Sequence, residues 1–122
     1  EVPNIGCVYH LPSYSPIKAG SEEMDKWDPK WKNSGYSERD NYWAGAKKAC
    51  DELGMSLPDK SKLLSLYVAG KKDSSLGLPT SGRFWSSSET SATFADYVNF
   101  NNGNSDFYYK NYSGSKVLCV GD

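Results

Sequence analysis

The chain has 122 residues, room for one ordinary domain. It is 38% hydrophobic and 24% charged, enough apolar matter for a core and not a disordered composition. A formal net charge of -1 excludes the basic footprint of a nucleic-acid binder, and no apolar run approaches the roughly 20 residues that cross a bilayer. The chain opens on Glu1 with no visible signal peptide, as expected of a mature chain or an excised domain.

Residues 1–39 are rich in Pro, Ser, Lys and Trp. Val8-Tyr9-His10-Leu11 reads as a short strand. From Pro12 to Gly35 no period is visible, and Trp27 and Trp31 are expected to pin an irregular segment to the body. A helix is predicted over 38–53, capped by Ser37, with Asp40 adding negative charge near its start. Trp43, Ala46, Cys50 and Leu53 fall on one face, and Gly54 is its stop. A second helix is predicted from Asp59, its cap, to Ala69, with Leu63, Leu66 and Tyr67 inward and Gly70 at its end.

From Phe84 onward the pattern is β. Strands are predicted at 84–88, 94–100, 106–110 and 116–120. Asn101-Asn102-Gly103-Asn104 is a tight-turn signal, because Asn and Gly tolerate positive φ. The order of elements predicts an α+β domain with an antiparallel sheet.

Three cysteines are present, Cys7, Cys50 and Cys119. Spacing alone leaves two readings open. One is a Cys50–Cys119 bridge in an oxidising compartment, which the chain-entropy model values at roughly 4 kcal/mol for so long a loop. The other is three reduced, buried thiols. Cys7 and His10 form a C-x-x-H pair, but no second ligand pair completes a zinc site. No catalytic set emerges: His10 is the sole histidine, and there is no nucleophile elbow, P-loop or dinucleotide-binding glycine pattern. Glu22 and Glu23 read as a solvated face, and Ser86-Ser87-Ser88 as hydrogen-bonding strand structure.

The concentrated signal lies between residues 90 and 115, where Asn, Tyr, Ser, Thr and Asp crowd one β region. Phe107-Tyr108-Tyr109 places aromatic bodies on both faces of a strand, so one face is core and the other is exposed or covered by a partner. Tyr, Ser, Asn and Gly together match the composition of antibody paratopes. The alternative is a polar hairpin with ordinary Tyr packing.

Tyr42-Trp43-Ala44-Gly45-Ala46-Lys47-Lys48-Ala49-Cys50, followed by Leu53-Gly54-Met55-Ser56-Leu57-Pro58, resembles the helix entry of C-type-lectin-like domains. The C-terminal third is more specific. Phe84-Trp85-Ser86-Ser87-Ser88-Glu89, Tyr97-Val98-Asn99-Phe100, Gly103, Lys110 and Lys116-Val117-Leu118-Cys119-Val120 resemble bacterial surface domains of the FISUMP type. They are also similar to the variable proteins of diversity-generating retroelements. The resemblance covers residues 40–120, the family-like core of one domain spanning 1–122; residues 1–39 match no named pattern.

The resemblance implies a C-type-lectin-like fold, with two helices on a small twisted antiparallel sheet and a long loop region. It also implies a Cys50–Cys119 disulfide and a non-enzymatic, extracellular binding role at a cell surface or pilus. It implies an exposed ligand-binding face drawn from Thr90, Ser91, Thr93, Asp96, Asn102, Asn104, Asp106, Tyr108, Tyr109, Asn111, Tyr112, Ser113 and Ser115. Adenine-directed mutagenesis of Asn codons would produce this set of residue types. The Glu-Pro-Asn, Gln-Pro-Asp and Trp-Asn-Asp motifs of calcium-dependent sugar binders are absent, so no metal or other cofactor is expected. The expected partner is a protein or glycan on another cell or surface. The competing expectation is a pilin or fibre subunit that assembles through the aromatic face.

Overall fold

The computed structural model describes residue 2 and residues 5–121. The architecture is α+β, with helices packed against two small antiparallel sheets. In chain order the elements are β1 (Cys7–His10), α1 (Glu23–Trp27), α2 (Tyr42–Glu52), α3 (Lys60–Lys72), β2 (Arg83–Glu89), β3 (Phe94–Asn99), β4 (Asn104–Tyr109) and β5 (Leu118–Gly121). Short 3₁₀ turns follow α1 at Trp31–Asn33 and α3 at Ser74–Leu76.

One sheet pairs β1 with β5, setting Tyr9 opposite Cys119. The other has the order β2-β3-β4. The segment before β5 joins them: the Lys116 N–H donates to the Arg83 carbonyl at 2.7 Å, and the Trp85 N–H donates to the Lys116 carbonyl at 3.1 Å. The outer edge of β2 is thereby occupied, which leaves β4 as the edge of its sheet.

Period-two alternation sends successive strand residues to opposite faces, and each face finds a different helix. Phe84 and Val98 pack with Leu63 and Leu66 of α3, together with Phe100, Leu118 and Val120. Trp85 and Ala95 pack with Trp43, Ala46 and Cys50 of α2, together with Val117 and Cys119. Each such large apolar side chain contributes about 1.5–3 kcal/mol on burial. A disulfide joins Cys50 to Cys119 with a Cα–Cα distance of 5.4 Å, fixing the end of α2 to β5 through this second cluster. Cys7 is a free, exposed thiol.

Several boundaries differ from expectation. Helix α2 begins at Tyr42, not at residue 38, and its cap is Asn41, not Ser37. Asn41 exchanges two backbone hydrogen bonds with Ile17, at 2.9 and 3.0 Å, which holds it extended. Its side-chain oxygen then accepts the Ala44 N–H at 2.8 Å. Asp40 lies outside the helix, where its carboxylate accepts the Ala19 N–H and pairs with Lys18. Leu53 is 48% exposed, because the helix stops at Glu52 and the chain turns outward through Gly54 at φ +70°. Asp59 caps α3 as expected. The helix nevertheless runs past Gly70 to Lys72, and the bare Cα of Gly70 serves close packing against Leu78 instead of a stop.

The segment without a visible period holds α1, whose five residues are too few to show one. Trp31 is buried and donates from its indole to the Arg39 carbonyl at 3.0 Å, so it does pin this segment. Strand β1 sits one residue earlier than expected. Ser86 is buried within β2, and its carbonyl accepts the Trp43 indole N–H at 2.7 Å.

The N-terminal segment crosses α2 at Gly45. A Cβ added there would lie 2.2 Å from the Ser15 carbonyl oxygen and 2.8 Å from the Pro16 Cα, and both of these are backbone atoms. Gly45→Ala should therefore destabilise the domain by about 1–3 kcal/mol through overpacking, despite the better helix propensity of Ala. Urea unfolding of the two proteins checks this.

Candidate ligand-binding face

The β3–β4 hairpin turns at Asn99–Gly103, where the Gly103 N–H returns to the Asn99 carbonyl at 2.7 Å. Gly103 has φ +77°, and a Cβ there would meet the Tyr67 ring at 2.5 Å. Turn geometry and close packing thus both require glycine at this position. From this turn the strands pair Tyr97 with Asp106, Ala95 with Tyr108 and Phe94 with Tyr109.

Alternation divides the aromatic run of β4. On the α2 side, Tyr108 joins Tyr97 and Tyr112 around the guanidinium of Arg83. The Arg83 Cζ lies 5.2 Å from the ring centroid of Tyr97, 5.8 Å from that of Tyr108 and 5.9 Å from that of Tyr112. Tyr108 and Tyr112 meet edge to face at 4.7 Å. On the opposite side, Phe94, Phe107 and Tyr109 pack together, and Tyr36 closes on Tyr109 at 4.9 Å.

The expected binding residues do not form one patch. Asp106, Tyr108 and Tyr112 share the face around Arg83, whereas Tyr109 belongs to the other aromatic cluster. Thr90, Ser91 and Thr93 form the β2–β3 turn, at the far end of the hairpin from Asn102 and Asn104. The Ser91 hydroxyl accepts the Thr93 and Phe94 N–H groups. Thr90 donates to Asp96, which also pairs with Lys60. The Asn102 side chain accepts the Asn104 N–H at 2.9 Å. Ser113 is exposed and Asn111 half-buried. Ser115 is 3% exposed and donates from its hydroxyl to the Arg83 carbonyl, so it belongs to the frame and not to an open face.

Lys110 anchors the hairpin from beneath. It is fully buried, and its ammonium donates to Asp28 at 2.9 Å and Glu89 at 2.7 Å, 4.5 Å from the ring centroid of Trp43. Asn41 donates to the same Asp28 oxygen at 2.8 Å. Burial works to raise the Glu89 pKa, but hydrogen bonds from Lys110 and Lys30 and the two charges outweigh it and hold the carboxyl below its ordinary 4.5.

Beside this face, His10, Tyr14, Tyr42 and Lys116 line a cleft of about 440 Å³. Tyr14 donates to the Ser115 carbonyl and accepts the Trp85 indole N–H, and burial pushes its pKa up to about 12. Burial, followed by the charge of Lys116, lowers the pKa of His10.

Stacking rings, phenolic hydroxyls and a guanidinium with no ion-pair partner among the described residues are groups suited to recognition. The comparison with known families agrees: residues 9–120 match the adhesion domain family InvE_AD. The chain belongs to this family of adhesion domains. No curated protein matches it. The match includes most of the N-terminal segment, which carried no nameable pattern. An adhesion domain fits a non-enzymatic role directed at external ligands, and the disulfide fits an extracellular or surface location. No helix among the described residues is long and apolar enough to cross a membrane.

Two residues of the adhesion domain's aromatic face, Arg83 and Tyr97, lie outside the expected binding set. The available signal was period two: Arg83 alternates with Phe84 and shares its side of β2 with Trp85, opposite the odd-numbered residues of β3.

Two outcomes follow from the buried charges. Lys110→Met should cost about 3–5 kcal/mol, because it leaves Asp28 buried without its cation; guanidinium unfolding measures this. Glu89 has a depressed folded pKa, so its stabilisation is complete above 4.5 and fades as pH falls through the lower folded value. Below pH 4.5, Glu89→Gln should therefore lose stability less steeply than the wild-type domain, as read by thermal melts across that window.

Proposed function

We propose that this adhesion domain captures a protein or glycan on another cell or surface through the face of Tyr97, Tyr108 and Tyr112 around Arg83. The observation that carries the reading is the clustering of three half-exposed tyrosines on a guanidinium at the β2-β3-β4 sheet. Tyrosines supply large contact area at little entropic cost, so a few of them would dominate the binding energy. The scaffold reading is C-type-lectin-like, supported by the bond between the helical Cys50 and Cys119 on the last strand. The loop residues Thr90, Ser91, Thr93, Asn102, Asn104, Asn111 and Ser113 would then form outlying, variable contacts. A retroelement-type diversified surface on a pilus or stalk is the finer form of this proposal.

Tyr108→Ala and Tyr112→Ala should each weaken adhesion of domain-coated beads to target cells about ten-fold or more without unfolding the domain. Unchanged adhesion in both variants would sink the assignment of this face. Sequencing the gene across isolates tests diversification: substitutions confined to 90–115 at adenine-derived codons support it, and scattered substitutions mean a fixed adhesin. One observation favours the second reading, a pilin or fibre subunit: Phe107 is 47% exposed on the unpaired edge strand. Light scattering decides this point, since concentration-dependent growth supports assembly and a constant monomer mass opposes it.

A further inference from the structure

We propose that Arg83 and its tyrosines are a subsite for the carboxylate of an acidic sugar, an inference that rests on the adhesin reading of the same face. Arg83 is half-buried and has no ion-pair partner among the described residues. Its planar fork of five N–H donors matches a carboxylate in bidentate geometry. The three rings lie 5.2–5.9 Å from its Cζ and orient the guanidinium, which remains able to make charge-assisted hydrogen bonds to an incoming anion.

The protein's own acids are occupied elsewhere. Asp106 shares this face, but one of its oxygens accepts the Phe107 N–H at 2.8 Å. That N–H faces the outer edge of β4, because Lys110, three residues on, donates inward to Thr93. Asp106 is thereby drawn toward the strand edge and away from Arg83. Glu89 is committed to Lys110 and Lys30. The guanidinium is the one cation of this face left for a ligand among the described residues.

The surroundings favour a sugar over an acidic peptide. From Tyr97 a groove of about 560 Å³ runs along Asn99, Asn102, Asn104, Ser105 and Asp106. Apart from Leu64, its walls offer amides, a hydroxyl and a carboxylate, which suit the alternating donors and acceptors of a polyhydroxylated ring. Tyr108, 38% exposed, presents an aromatic face on which the C–H face of a pyranose stacks. The less polar cleft beside this face, lined in part by Leu11, Tyr14, Tyr42 and Val117, does not include Arg83 or the Tyr97 and Tyr108 rings in its lining, whereas the polar groove begins at Tyr97 itself. A uronic or nonulosonic acid would place its carboxylate on Arg83, its ring against Tyr108 and its hydroxyls along the asparagines.

The test is an NMR titration of the intact domain with glucuronate, N-acetylneuraminate, glucose and N-acetylglutamate amide. Expected are saturable shifts of the Arg83 side-chain N–H and of the Tyr97, Tyr108 and Tyr112 rings with at least one acidic sugar. Glucose and the glutamate derivative should bind about ten-fold more weakly or less. Arg83→Gln should erase the preference for acidic over neutral sugar, and Arg83→Lys should retain part of it. Equal binding of glucose overturns the carboxylate subsite. Equal or tighter binding of the glutamate derivative overturns the sugar in favour of an acidic peptide. Absence of saturable shifts with both acidic sugars overturns the proposal outright. If Arg83→Gln does not fold, the matched glucuronate and glucose titrations of the wild-type domain still decide. Adhesion lost in Tyr108→Ala but kept in Arg83→Gln would remove this subsite and leave the adhesin reading standing.

Discussion

The ammonium of Lys110 is taken out of water at the centre of the fold. Removing a charge from water costs several kcal/mol, and the cost is offset only by good geometry and full hydrogen bonding. Here Asp28, Glu89 and the ring of Trp43 supply both. Lys110, just past β4, thus meets partners from three other regions of the chain: the segment after α1, the start of α2 and the end of β2. The Lys110 backbone adds to the same junction. Its carbonyl accepts the N–H groups of Tyr42 and Trp43, two of the unpaired donors at the start of α2, and its N–H donates to Thr93. An arrangement in which any of these segments drifts leaves a charge buried and unpaired. The junction therefore specifies where the segments meet, whatever its net contribution to stability.

The proposed ligand face takes its position from that junction. Tyr108 and Tyr112 stand two residues to either side of Lys110, so fixing Lys110 sets the ends of the loop that carries them beside Arg83. Two cations then have opposite roles. Lys110 is paired on every side and holds the frame. Arg83 lies against aromatic rings, which orient it without neutralising it. A rigid frame carrying an unneutralised donor suits recognition, because little ordering remains to be done when a ligand arrives.

The edge strand bears on the same function. A free edge invites pairing with another chain. On β4 the Asp106 carboxylate covers the outward N–H of Phe107, placing both a hydrogen-bond block and a negative charge on that edge. Side-chain recognition across the face is thus better served than strand addition along it.

Much of this was legible in the chain itself. Trp43, Ala46 and Cys50 recur at helical spacing, Asp59 is a capping residue before an apolar period, and Phe84-Trp85 begins a strand whose residues alternate between two cores. The Asn-Gly turn announced the hairpin because few other residues accept positive φ. These features are local, and backbone sterics and side-chain period decide them within a few residues. The start of α2 was not legible, because Asn41 is held extended by Ile17, 24 positions earlier. The short α1 lacked the length to show a period. The expected binding set was drawn from one region of the sequence, but the fold does not gather it into one patch. Composition located residues 90–115, but alternation sent Tyr109 away from Tyr108, turn hydrogen bonds engaged Thr90 and Ser91, and burial enclosed Ser115. Arg83 and Tyr97 gained their roles only from strand register, which pairs residues distant in sequence. By itself the sequence determined the α+β class and the main helices and strands, since these follow from short-range patterning. Tertiary structure alone decided which cation is buried and paired and which lies half-buried against aromatic rings, because pairing and desolvation depend on what the folded chain brings within a few ångströms.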